Sequence, residues 1–194
     1  IGLLIGVRGI GAFFGFGLMA LASRLDPRVS LTIAFSLQGL SGLYMASFNI
    51  DMTFSQVAWA GIIQGIGVGM AWVPISVLTF STLDKRYFGE GTAMYHLIRN
   101  VASSFFISIT VAVVLHTGQI SFGNLSSLVT DWNMGLALNF TDQFIENFDQ
   151  VTIKNLTSEV NRQSLMIGYI NSFMLFAIVS FLTIPFLFLI KEKK

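Results

Sequence analysis

An all-α membrane protein is the fold class this sequence predicts, on three observations. Of the 194 residues 54% are hydrophobic and 11% charged, with a mean hydropathy of +0.73, whereas an ordinary soluble domain is ~25% charged. Apolar stretches at 2–23, 30–48, 55–80, 91–115 and 163–190 each approach or exceed the ~20 residues of helix that cross a ~30 Å hydrocarbon layer. The short connections between them alternate in basic content. Composition also excludes several classes. A formal charge of +1 leaves no basic excess for nucleic acid. With no cysteine, disulfides, iron–sulfur clusters and thiolate zinc sites are ruled out. Two histidines without an acid at ligand spacing make no metal site, and no cofactor is expected. The chain starts at Ile1 without a methionine, a charged leader or a small-residue cleavage site, so its first segment does not read as a signal peptide, and the chain is expected to be a piece of something longer.

The first stretch, 2–23, pairs Gly2 with Gly6 and Gly11 with Gly15, and carries Arg8. Small residues at this spacing let helix backbones approach closely. Arg24 and Arg28 follow it, no basic residue lies in 49–55, Lys85 and Arg86 follow the third stretch, and Lys191, Lys193 and Lys194 close the chain. The positive-inside rule places the first, third and C-terminal connections in the cytoplasm. The start of the chain and the segment 116–162 then lie outside, and 191–194 form a cytoplasmic tail. In the second stretch, 30–48, Gln38, Ser41 and Gly42 form a polar stripe suited to interhelical hydrogen bonds. Residues 39–42 match the short G-x-S-G of intramembrane serine proteases, with His96 or His116 as the base. A hydroxyl flanked by glycines is equally ordinary packing sequence, and the reading remains non-enzymatic.

The third stretch, 55–80, places Gly61, Gly65 and Gly69 four residues apart with Gln64 beside them. Trp72 and Met70 furnish either a wall for an apolar ligand or packing. Pro74 bends the helix by removing one backbone donor. In the fourth stretch, 91–115, Thr92, His96, Arg99, Asn100, Ser103 and Ser104 recur at intervals of three and four and share one helix face; Ala93, Leu97, Ile98, Val101 and Phe105 occupy the other. A charge at bilayer depth costs ~2.5–3.5 kcal/mol on insertion scales, so such residues face a bundle interior or a water-filled cavity. Rising ~1.5 Å per residue from Lys85 and Arg86, Arg99 lies about 20 Å into the span, beyond snorkelling reach. No acid at membrane depth can pair with Arg8 or Arg99. The missing counter-charge is a substrate, a carboxylate elsewhere in the molecule, or carbonyl dipoles.

The segment 116–162 is polar and reads as an external loop; its three N-x-S/T sequons sit at Asn124, Asn139 and Asn155. Within it, 141–148 has Phe144, Ile145 and Phe148 at helical spacing, a candidate interfacial helix. The last span, 163–190, carries Gly168, Asn171 and Ser172 as a further polar stripe.

Three runs carry a family resemblance: "GLLIGVRGIGAFFGFGLMALASRLDPR", "QGIGVGMAWVPISVLTFSTLDKRYFGEGTAMYHLIRNVASS" and "NRQSLMIGYINSFMLFAIVSFLTIPFLFLI". They resemble the C-terminal part of EmrB-type transporters, the 14-span drug:proton antiporters of the major facilitator superfamily. Residues 6–9 are similar to a Pro-Arg-Gly of that family, with Val7 in place of proline, and 23–28 resemble the superfamily's basic interhelical loop, with Ser23 where an acid often stands. The resemblance implies that the five spans belong to the C-terminal six-helix bundle of a major facilitator fold. It implies alternating access between two bundles and export of small hydrophobic or amphipathic drugs. Export would be coupled to protons through acids that lie mainly in the missing N-terminal bundle. A periplasmic adaptor and an outer-membrane channel are implied as partners, and the bacterial inner membrane as location. Arg99, His96 and Asn100, with Arg8 and Gln64 as neighbours, are the candidate substrate or proton pathway. Two alternatives stay open: a transporter of the same fold for a defined metabolite, and a membrane scaffold subunit in which the polar stripes only join helices.

Overall fold

The computed structural model describes residues 2–21, 26–128 and 150–189. Among them there are helices and no strand: α1 (Gly2–Leu21), α2 (Pro27–Ala46), α3 (Phe54–Phe80), a short 3-10 turn (Lys85–Tyr87), α4 (Phe88–Leu128) and α5 (Gln150–Leu189). Local chemistry sets the ends. α2 starts with Pro27 just inside the helix, where its missing N–H costs nothing, and the Asp26 carbonyl accepts from the Val29 and Ser30 amides at 3.0 and 3.2 Å. It ends at Ser47, whose hydroxyl and amide both turn back to the Tyr44 carbonyl, at 2.7 and 3.2 Å. α3 opens on a capping box in which the Thr53 amide donates to Gln56 Oε1 at 2.9 Å.

The helices fall into two compact units, residues 1–108 with 173–194, and 109–172. In the first unit α3 is central. α1 meets it through interleaved glycines. A Cβ built on Gly65 would run into the Arg8 carbonyl and lie 2.9 Å from the Ala12 amide nitrogen, and one on Gly15 would lie 3.0 Å from Gly69 Cα. Only hydrogen side chains at these positions allow backbone-to-backbone contact, as the four-residue spacing anticipates. α2 packs on α3 through Leu31, Ala34, Met70 and Ala71, joined by Leu187 of α5. Ser41, fully buried, donates to the Ala60 carbonyl at 2.9 Å, the interhelical role read for its stripe. Gly39 and Gly42 lie against Phe181 and against Phe176 with Ala177, so the end of α5 seats on α2. Pro74 is buried within α3 and has no amide to offer the Met70 carbonyl.

In the second unit the two long helices pack on each other. Gly168 of α5 lies against the Val114 carbonyl of α4, and Gly118 faces Ser164 and Leu165. Val114, Ser164 and Ser172 are buried there, while Asn171 is exposed.

α2, α3, the stretch Lys85–Ser127 and Thr157–Leu189 are long and apolar enough to cross a membrane, and α1 contributes the shorter apolar run Ile5–Ala20. The chain is an all-α integral membrane protein. One difference from the sequence reading concerns 116–162. α4 continues to Leu128 and α5 already begins at Gln150, so the polar segment is helical at both ends. At 41 residues, α4 is about 60 Å long, twice the ~30 Å hydrocarbon layer. Of the sequons, Asn124 is an exposed residue of α4 and Asn155 lies in α5. Asn139, the candidate helix at 141–148, the basic residue Arg24 and the lysine tail lie outside the described residues.

Candidate functional site

Arg99 projects from α4 onto α3. Its guanidinium carbon sits 4.1 Å from the centroid of the Trp72 ring, well inside the ~6 Å range of a cation–π contact. The two side chains share a cleft of about 210 Å³ lined by Phe35 and Gln38 of α2, by Val68, Ala71, Trp72 and Ile75 of α3, and by Tyr95 and Arg99 of α4. α2 and α3 hold their walls through the core they share. Gln38 is fixed by its stem, which lies over Gly67: a Cβ there would be 2.8 Å from Gln38 Cγ. On the α4 side, Tyr95 packs edge-on against Phe80 at 5.6 Å between centroids, and Phe80 meets Phe88 at 5.2 Å. These aromatic contacts anchor the start of α4 beside the end of α3.

The cleft therefore carries one full charge, one amide and otherwise apolar or aromatic walls. Among the described residues the ion pair is Arg162–Glu159 at 3.3 Å, on the exposed side of α5. Among the described residues neither Arg99 nor Arg8 has an acid partner. The Trp72 face accounts for part of the cost of placing Arg99 in a membrane helix: ~0.5–2 kcal/mol against ~2.5–3.5 kcal/mol. The aromatic contact uses none of the five guanidinium N–H donors as a conventional hydrogen bond, so the group keeps donor capacity for another partner.

Of the residues singled out in the sequence, Arg99 lines the cleft and the other four do not. His96 is exposed, with its ring edge-on to Tyr95 at 5.4 Å. Asn100 is exposed, and its carbonyl accepts from the Ser104 hydroxyl at 3.0 Å. Arg8 is exposed on α1, its backbone against Gly65 and its Cβ 3.9 Å from the space beside Gly61. Gln64 is half-buried on α3. No side chain of α4 from Phe88 to Ala112 is buried, on the polar face or the apolar one. Met70, one of two candidate wall residues, is buried in the α2–α3 core; Trp72, the other, is in the cleft wall. Gln38, read as an interhelical hydrogen-bonding residue, belongs to the cleft lining. Among the described residues no group of three metal-ligating side chains occurs.

Fold and site together define an integral membrane helical protein with a positively charged, aromatic-walled cleft in its transmembrane region. The EmrB-type resemblance of the three sequence runs is matched by sequence comparison. The chain is 24% identical over 149 residues to the multidrug export protein EmrB of Haemophilus influenzae, covering 75% of the chain and 29% of that protein. It is 20% identical over 172 residues to the fatty acid resistance protein FarB of Neisseria gonorrhoeae, covering 87% and 34%. It is 24% identical over 193 residues to the colistin resistance protein EmrB of Acinetobacter baumannii, covering 94% and 37%. The chain thus spans about a third of the length of these relatives. No family model and no solved structure matches it.

Proposed function

We propose that this chain is part of a proton-coupled multidrug efflux transporter of the EmrB type. It would export amphipathic or hydrophobic compounds across the bacterial inner membrane by alternating access. It supplies five spans of the C-terminal six-helix bundle and performs no covalent chemistry. The rest of the chain supplies the N-terminal bundle and the proton-carrying acids; a periplasmic adaptor and an outer-membrane channel complete the export route. Supporting the transport reading are the relatives, whose names describe multidrug export and resistance to fatty acids and colistin.

The observation that carries the site is Arg99 itself, a cation in a membrane helix, seated on Trp72 in a cleft without an acid among the described residues. In this reading Arg99 stabilises an anionic partner during the cycle, with His96, Asn100, Arg8 and Gln64 along the same pathway in the assembled pump. Arg99→Ala in the full-length transporter is expected to abolish proton-coupled efflux, measured as loss of drug resistance, while the protein still inserts in the membrane at normal levels. Normal resistance in that variant would sink the assignment. The Trp72 stack favours one second reading, a scaffold in which Arg99 only ties α4 to α3. Under it the variant loses folded protein rather than transport by intact protein.

A further inference from the structure

We infer that the cleft between α2, α3 and α4 is a subsite for the anionic head of an amphipath, a carboxylate on a single apolar tail. Arg99 supplies the charge, Gln38 a second hydrogen-bonding group, and Trp72 positions Arg99. This deepens the efflux reading and rests on it for the statement that the occupant is cargo.

Size is the first argument. Pockets that enclose a whole drug-sized molecule run ~300–1,000 Å³, and this cleft holds about 210 Å³. It takes a head and the atoms next to it and leaves the tail outside. Charge is the second. The lining has one cation, itself exposed, and no acid, so an anionic head is attracted and a cationic one repelled, the more strongly where apolar walls keep water away. Shape is the third. The Arg99 guanidinium carbon lies 4.1 Å from the Trp72 ring centroid, and the planar fork of guanidinium donors matches the two oxygens of a carboxylate. Phe35, Val68, Ala71 and Ile75 give the first carbons of the tail an apolar bed.

The test uses the full-length pump in phosphatidylcholine nanodiscs, without a proton gradient, and 2-bromodecanoate as probe; bromine beside the head quenches an indole it touches. Quenching should be saturable and lost in Trp72→Phe. Charge-assisted hydrogen bonds of ~1.5–3 kcal/mol translate to a Kd raised roughly ten- to a hundredfold in Arg99→Gln. Gln38→Met, which keeps the stem over Gly67, should raise it about fivefold. Arg99→Lys keeps the charge without the fork or the stack and should still weaken binding severalfold; it serves if the glutamine variant fails to fold. The matched decylammonium, brominated at the same carbon, should give no saturable quenching.

Equal binding of the ammonium, or an unchanged Kd in Arg99→Gln and Arg99→Lys, would overturn the subsite. Displacement of the probe by phosphatidylglycerol in the nanodisc would reassign the cleft to a lipid headgroup and overturn it as well. Absence of saturable quenching in the wild-type pump would mean that Arg99 is met by a group of the pump itself, which also overturns it. A pump that binds the probe but exports nothing contradicts the efflux reading alone. One that exports but binds without regard to these side chains contradicts the subsite alone.

Discussion

Ser41 and Arg99 both bring polar atoms into the membrane region, at very different cost. The Ser41 hydroxyl donates to the Ala60 carbonyl at 2.9 Å, using a second lone pair of an oxygen that can also serve the α3 ladder. Such bonds between membrane helices average ~0.6 kcal/mol, with a maximum near 1.7. Ser41→Ala should therefore lower stability by less than ~2 kcal/mol, read as a small fall in the thermal midpoint of the detergent-purified full-length protein; outright failure to fold would show that the contact does more. Arg99 cannot be settled so cheaply, because the indole recovers only part of its insertion cost. Periodicity found Arg99, since charge on an apolar helix is conspicuous. It could not find Gln38 as a cleft residue, because spacing tells which side of its own helix a residue occupies and not which neighbour arrives there. Trp72 is legible in the sequence as an aromatic of two possible uses; the structure places it in the cleft wall beside Arg99.

At the scale of helices, the contact of α1 with α3 depends on glycines such as Gly65, from which Gly6 and Gly91 differ sharply in what surrounds them. Around Gly65 stand the Arg8 carbonyl and the Ala12 amide nitrogen, backbone atoms that cannot rotate away; around Gly6 nothing lies within 4 Å; Gly91 meets only the end of the Leu83 side chain. Gly65→Ala should destabilise the protein by ~1–3 kcal/mol, the range for overpacking a filled interface. Gly6→Ala should be neutral or slightly stabilising, since alanine is the better helix former by up to ~1 kcal/mol. Gly91→Ala should fall between them. Unfolding of the three variants in parallel checks the order, and equal losses at Gly65 and Gly6 would refute the interface. The four-residue pattern in the sequence includes Gly2, Gly6, Gly11, Gly15, Gly61, Gly65 and Gly69 without ranking them; only the partner helix shows that Gly11, Gly15, Gly65 and Gly69 make the contact. The ends of α4 and α5 were illegible for another reason. Hydropathy reports solubility in lipid, not helicity, and past Leu115 the chain becomes polar while remaining helical. There Ser126 and Ser127 return their hydroxyls to the Gly123 and Asn124 carbonyls at 3.0 and 2.8 Å, satisfying groups near the helix end.

For the molecule as a whole, the direction in which it crosses the membrane decides what the cleft can face in the proposed transport cycle. α3 is the span on which to test it, because its 27 residues make about 40 Å of helix, more than the ~30 Å layer, so both flanks reach water even with some tilt. Asp51 lies before it and Asp84 after it, and both are exposed. The flank at 49–55 has no basic residue, whereas Lys85 and Arg86 adjoin Asp84; on this difference we propose that the Asp84 side is cytoplasmic. In spheroplasts expressing the full-length protein, a thiol at Asp51→Cys is expected to react with a membrane-impermeant maleimide at once, and one at Asp84→Cys only after permeabilisation. The opposite pattern would invert the proposed topology as a unit. It would put Arg8 toward the cytoplasm and the helical extensions of α4 and α5 inside the cell, where no periplasmic partner could reach them. The positioning of Arg99 on Trp72 would survive that result, since it depends on helix packing alone; the proposed route from cytoplasm to exterior would not.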